Sequence, residues 1–189
     1  MNFEAYKTAI RGLLGDKRYK HSLCVSRMAV HLAHRYGADE KRAETAGILH
    51  DIMKDLPREE QKKLLRKYEL PLTEVEQNTP KLWHAILGAE YIRRELGVTD
   101  PEILEAVRYH TTGRENMTLL DKILFVADFI SDDRDYPGVD EMRKAAKNSL
   151  EEAMIDGIAY TVKDLAEAKR PIHPDTIAAY NHTILQSRL

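Results

Sequence analysis

The sequence predicts an all-α protein, a single compact helical bundle over residues 1–189. Three observations carry that expectation. Apolar residues recur at helical spacing through most of the chain, and Gly and Pro fall between the periodic stretches. No clear run of alternating β-branched residues with hairpin turns occurs. Composition agrees, since 32% charged and 43% hydrophobic residues suit a helix-rich globule with one substantial core.

Taken in order, Phe3 to Leu14 carries Tyr6, Ile10, Leu13 and Leu14 at helical spacing and stops at Gly15. Arg18 to Tyr36 follows, with Leu23, Met28, Leu32 and Ala33 on its inner side, and ends at Gly37. Asp39 is a capping residue for a helix expected to run through Leu49 to about Lys54. Pro57 suits the first turn of REEQKKLLRKY, a solvated face with Leu64 and Leu65 inward, before a break at Leu70-Pro71. Pro80 opens a helix that reaches Leu96, and Asp100-Pro101 starts another that ends near His110. TTGRENM reads as a loop. Thr118 to Ile130 is apolar almost all the way round, which places it in the middle of a globule. After the loop SDDRDYPGVD, one helical stretch is expected from Asp140 to about Ala168. Beyond KRPIHP a last helix runs from Asp175 towards Gln186.

Charge and cysteine content narrow the function classes. The 29 basic and 31 acidic residues are mixed evenly, so the chain has no overall basic footprint for nucleic acid, although a local phosphate pocket remains open. The single cysteine, Cys24, has no internal disulfide partner and apolar neighbours, and reads as a buried, inert thiol. The N-terminal segment lacks the apolar core of a leader, and no apolar run approaches a membrane span. A cytoplasmic chain is expected, without a membrane partner; a homodimer is compatible with the sequence.

The residues that carry chemistry are histidines and aspartates on apolar helices. In AGILHDIMKD, residues 46–55, His50 and Asp51 end an apolar run where burying a charge is costly. A structural hydrogen bond or a metal ion would each account for the pair. His21 lies on the inner side of the second helix, His84 near the start of another, and His110 at the end of the next. Asp128 sits inside LFVADFI, the most apolar segment, where an ionised carboxylate needs a cation or a partner such as Arg134 or Lys122. Imidazole and carboxylate together suit Fe, Mn or Zn. Lys54, three residues after Asp51, is placed to reach a phosphate oxygen. His31, His34 and His182 read as surface residues.

The order His21, His50-Asp51, His84, His110, Asp128 resembles that of the HD-domain superfamily of metal-dependent phosphohydrolases, whose minimal signature is H…HD…D. In finer detail, AGILHDIMKD, HTTGRENMTLLDKILFVADFI, DRDYPGVDEMR and PIHPDTIAAYN are similar to the bacterial symmetrical bis(5'-nucleosyl)-tetraphosphatases of the HD type, over about Arg18 to Asn181. The resemblance implies an HD core over about residues 18–133, with C-terminal helices from residue 140 completing a nucleotide pocket. It implies hydrolysis of diadenosine tetraphosphate to two ADP at an iron centre. It assigns His21, His50, Asp51 and Asp128 as metal ligands, with His84 and His110 completing a second metal site or contacting phosphate. One departure is Ala85 after His84, where the family would have glycine. Deoxynucleotides, cyclic nucleotides and (p)ppGpp are the alternative substrates within the superfamily, and a nucleotide-binding regulator without turnover is the alternative outside catalysis. HTTG and YPGV argue for the tetraphosphatase.

Cleavage of a phosphoanhydride requires an activated water, charge neutralisation and a leaving group held in line, which bound metal provides. Asp51, with two carboxylate oxygens, is the residue suited to bridge two ions. Asp55 is a candidate for orienting water. Symmetrical cleavage also requires a grip on one ADP unit, for which Arg18, Arg134 and Thr111 are candidates. Arg170, Ile172 and His173, in the stiff segment RPIHP, are expected to form a wall for base, ribose or phosphate, or a packed turn.

Overall fold

The computed structural model describes residues 1–186, and among them the chain forms eleven α-helices and no strand. In order these are α1 (Phe3–Leu13), α2 (Asp16–Tyr36), α3 (Glu40–Leu49), α4 (Arg58–Lys67), α5 (Glu74–Asn78), α6 (Trp83–Glu95), α7 (Pro101–Tyr109), α8 (Leu119–Ile130), α9 (Val139–Asn148), α10 (Leu150–Glu167) and α11 (Pro174–Gln186), with a 3₁₀ turn Pro80–Leu82 before α6. The α8 helix is the hub. It packs on α2, α3 and α7 to one side and on α9 and α10 to the other. Ile123, Leu124, Phe125, Val126 and Ala127 are all buried, as an apolar circumference requires, while Phe129 is half-buried and Leu119, at the start of the helix, is exposed. A capping box at Thr118 and Asp121 satisfies its first amides.

Three expectations are corrected and one helix is added. The α3 helix ends at Leu49 instead of continuing to Lys54. His50 directs its Nδ1 at the Gly47 carbonyl, 2.8 Å away, an acceptor that a further helical turn would use for Asp51 N–H. Tight turns then follow, closed by Ile52 N–H to Leu49 O and Lys54 N–H to Asp51 O. The stretch 140–168 is two helices, because Ser149 is extended and its hydroxyl caps α10 at Glu152 N–H. The short α5 was not anticipated, although TEVE, residues 73–76, has the T-x-x-E pattern of a capping box and forms one here. Asp55, a candidate for orienting water, instead accepts the Gly15 N–H at 2.9 Å and ties the turn to the start of α2.

The α2 and α3 helices touch closely at Gly47. A Cβ there would lie 2.5 Å from Ser26 Cα, a backbone atom that has no room to yield. Gly12, on the exposed face of α1, has nothing within 4 Å. Gly47→Ala is therefore expected to cost about 1–3 kcal/mol, and Gly12→Ala to add about 0.5–1 kcal/mol. Thermal unfolding of the two variants should move Tm in opposite directions.

Candidate metal centre

Three of the histidines are placed by how a helix begins or ends. His50 is the C-terminal cap of α3, His110 that of α7, and His84 lies in the first turn of α6. At the two C-terminal caps main-chain carbonyls lack a helical partner and the imidazole uses one; His84 instead uses a carbonyl of the 3₁₀ turn that precedes α6. The Nδ1 atoms of His50, His84 and His110 lie 2.8, 2.7 and 2.8 Å from the carbonyls of Gly47, Lys81 and Val107, in each case the residue three positions earlier. Nδ1 is thus the protonated nitrogen, and Nε2 faces the centre with a lone pair. His21 sits in the middle of α2, where the carbonyls are spent on the helix. Its Nδ1 donates to Asp133 Oδ2 at 2.8 Å, and Ser131 in turn donates to Asp133 Oδ1 at 2.8 Å.

The lone pairs converge. His84 Nε2 and His110 Nε2 face each other at 3.2 Å, and each also faces Asp51 Oδ1, at 3.2 and 3.5 Å. On the other side, His50 Nε2 is 3.6 Å from Asp51 Oδ2, while His21 Nε2 is 3.0 Å from Asp128 Oδ1. Three triads have donor atoms within 4.8 Å of one another: His21, His50 and Asp51; His50, His110 and Asp128; and Asp51, His84 and His110. His50 Nε2 and Asp51 Oδ1 are buried without any hydrogen bond. Acceptors gathered nitrogen to nitrogen and nitrogen to carboxylate repel one another unless a cation lies among them. The donor set therefore fits divalent metal.

Electrostatics agree. Burial pushes the His50 and His84 imidazoles down to about 4, which keeps both neutral and able to ligate. Burial opposes the charge on Asp51, but His50, His110, His84 and Lys54 outweigh it and hold the carboxyl well below the usual carboxylate range. Asp128 is held low in the same way by His21, His50 and Arg134. Lys54 Nζ lies 3.0 Å from His84 Nε2 and 3.6 Å from Asp51 Oδ1, on the turn after α3 rather than on a helix face. Arg18 Nη1 donates to Asp51 Oδ2 at 2.8 Å, and Arg134 donates to the carboxylate and the carbonyl of Asp128. Lys122 pairs with Glu151 instead.

Thr111 Oγ1, 3.2 Å from His110 Nε2, stands where the centre opens into a largely apolar cavity of about 390 Å³. Lys81, Arg170, Pro171 and His173 also line it. Arg170 is ion-paired to Asp164 at 2.7 Å. His173 is buried, with its Nε2 3.6 Å from Glu76 Oε1, and Glu76 is itself paired to Arg108. Ile172 lies between two lining residues yet outside the lining, as alternation along a non-helical run implies. Sequence reasoning missed Asp133 and Lys81. Asp133 is one acid among four in SDDRD and its neighbours, with no spacing to mark it. His34 is exposed and pairs with Glu40, and Cys24 is buried.

Two outcomes are expected. Asp133→Ala should weaken metal binding by roughly 10–100-fold, the usual effect of removing a group that orients a ligating histidine, read by competition with a chelator. In the metal-free chain, the unfolded state takes up protons on His50 and His84 at 6.5 whereas the folded state does so only at about 4, so stability falls as pH drops from 6.5 towards 4. His84→Asn should flatten the dependence of Tm on pH between 7 and 5; an unchanged slope would contradict a buried neutral His84.

Comparison with known proteins agrees with this geometry. Residues 18–133 match the HD domain family. The chain is 44% identical over 181 residues to the Bacillus subtilis protein named bis(5'-nucleosyl)-tetraphosphatase, symmetrical, covering 96% of this chain and 97% of that one. It is 35% identical to the Staphylococcus aureus protein of the same name, covering 96% and 94%. A crystal structure from Clostridium acetobutylicum, described as a "predicted HD superfamily hydrolase involved in NAD metabolism", superposes with a TM-score of 0.94 at 35% identity, over 98% of each chain. The chain belongs to the HD-domain family, within the group that holds the symmetrical bis(5'-nucleosyl)-tetraphosphatases.

Proposed function

We propose that this chain hydrolyses diadenosine tetraphosphate symmetrically to two ADP in the cytoplasm. The observation that carries the reading is the shared carboxylate. Asp51 has one oxygen among His84 and His110 and the other beside His50, so one side chain serves two adjoining groups of ligands. His21, His50, Asp51 and Asp128 would hold one ion, and Asp51, His84 and His110 a second. Iron is the metal we propose, and the same donors would accept manganese or zinc. Bound metal would supply Lewis acidity, lowering the pKa of water and neutralising phosphate charge.

The protein's own residues bind and orient. Lys54 and Arg18 reach the Asp51 carboxylate from the solvent side and give phosphate oxygens cationic partners. Arg134, beside Asp128, does the same at the other edge. Thr111 stands at the mouth of the large cavity, where Lys81 and Arg170 add positive charge to apolar walls. At about 390 Å³ it falls within the roughly 300–1,000 Å³ of small-molecule sites, and we assign it to the nucleoside and first phosphate of one ADP unit. His173, buried against Glu76 and Asp175, makes the wall beside it rigid. A grip on one ADP unit with the metal ligands next to it directs attack to the β-phosphorus and releases the other ADP.

The deciding experiment is product analysis after incubating the metal-reconstituted protein with diadenosine tetraphosphate. ADP alone is expected; ATP with AMP would overturn the register of cleavage. Asp51→Ala should lose both metal and turnover. Lys54→Ala should keep its metal and lose roughly 10²–10³ in rate, the scale for removing one charge-stabilising group.

A further inference from the structure

A second cavity, of about 240 Å³, opens on the opposite edge of the centre and is bounded by Asp128, Phe129, Arg134, Tyr136 and Tyr160. It shares no lining residue with the larger one. Its floor is aromatic. The rings of Tyr136 and Tyr160 lie 5.7 Å apart, inclined by 36°, and Tyr136 is held in place by its hydroxyl, which donates to Phe129 O at 3.0 Å. Tyr160 is 50% exposed, although it is carried by a helix whose other face is core.

The fold brings Tyr160 there by a specific close approach. A Cβ on Gly157, one turn earlier in α10, would come within 3.2 Å of Phe125 and 3.4 Å of Phe129. The missing side chain lets α10 settle on α8 and sets Tyr160 beside Tyr136. Charge is polarised across this shelf. Arg134 lies at the end next to the metal ligands, while Asp156 and Glu141 flank the far side of the tyrosine pair. A ligand with an anionic end at the ligands and a flat, donor-edged ring away from them matches that order.

We propose that the Tyr136–Tyr160 shelf binds the second nucleoside of the dinucleotide, its base stacked on the tyrosines and its phosphate facing Arg134. The inference rests on the hydrolase reading above, and it extends it. With one nucleoside in the large cavity and the other on the shelf, the polyphosphate passes over the ligand cluster from both sides. Stacking on a tyrosine face accepts any base, so the shelf contributes affinity with little base selectivity.

The test uses the metal-loaded protein and ADP as the probe, by calorimetric titration, alongside KM for diadenosine tetraphosphate. Wild type is expected to bind two ADP per chain, Tyr160→Ala one, and Tyr160→Phe two. In Tyr160→Ala, KM should rise about tenfold or more, the effect of losing one base–aromatic stack. Because Tyr160 is half exposed, its truncation leaves the core intact, and Leu185→Ala, at another exposed apolar position, controls for non-specific effects. Wild-type protein that turns over the dinucleotide yet binds one ADP, or Tyr160→Ala with wild-type KM, overturns the shelf and leaves the hydrolase reading standing. Protein that releases no ADP from the dinucleotide and binds none overturns both.

Discussion

Asp51 is 2% exposed, and a carboxylate cut off from water at that depth is unstable unless positive charge and hydrogen bonds replace its hydration. The surroundings supply this only in part. Arg18 and Lys54 approach from the rim, while the atoms nearest to Oδ1 are imidazole nitrogens whose protons point the other way. The His84 imidazole, like that of His50, is neutral because burial disfavours its charged form. A centre assembled from two carboxylates, Asp51 and Asp128, and neutral acceptors is short of positive charge by construction of its tautomers, and that shortfall is the property a metal site needs.

The way helices end follows from the same requirement. For a histidine to present Nε2 inward, its Nδ1 must find an acceptor, and a helix terminus is where the chain has carbonyls to spare. His50 and His110 occur at such places, His84 takes the Lys81 carbonyl from the 3₁₀ turn before its helix, and α3 stops at Leu49 so that the Gly47 carbonyl becomes available to His50. His21 is the exception that tests the rule. In mid-helix it has no spare carbonyl, and the chain provides Asp133 from a loop more than a hundred residues away in sequence.

Much of this frame is legible in the sequence, because its signals are local. Gly37, Asp100-Pro101 and the apolar circumference of LFVADFI each act through one element, and each element forms as that chemistry dictates, while Pro57 stands one position before its helix as the cap. The end of α3 was hidden because IMKD continues the helical pattern of AGILHD; the competing acceptor is a side chain, His50, that periodicity counts as just another residue. The break at Ser149 was hidden for the opposite reason, since a serine is equally at home on a helix surface and at a cap. The ligand types could be read from single positions, whereas their convergence is a tertiary fact, reached beforehand only through resemblance. Tyr160 offered no signal at all, and Tyr136 only its place in the YPGV of the family resemblance. Tyrosine in a loop or on a helix is ordinary until Gly157 brings the two together.

The segment that matches the HD domain ends at residue 133, and what lies beyond it is more than a cover. Arg143, on α9, donates to the carbonyls of Ile130, Ser131 and Arg134 at 3.1, 2.9 and 3.0 Å. That single guanidinium fixes the loop that carries Asp133 to His21 and Arg134 to Asp128. The α10 and α11 helices then supply Thr161, Leu165 and Thr176 to one cavity and Tyr160 to the other. The ligand cluster itself is confined to α2, α6, α7, α8 and the end of α3 with the turn that follows it. The metal-ligating side chains all lie in the matched segment, whereas the walls of both cavities are shared between that segment and the helices after it. Change in the later helices reaches the cavity walls without touching a ligand, so the buried charge balance is insulated from it.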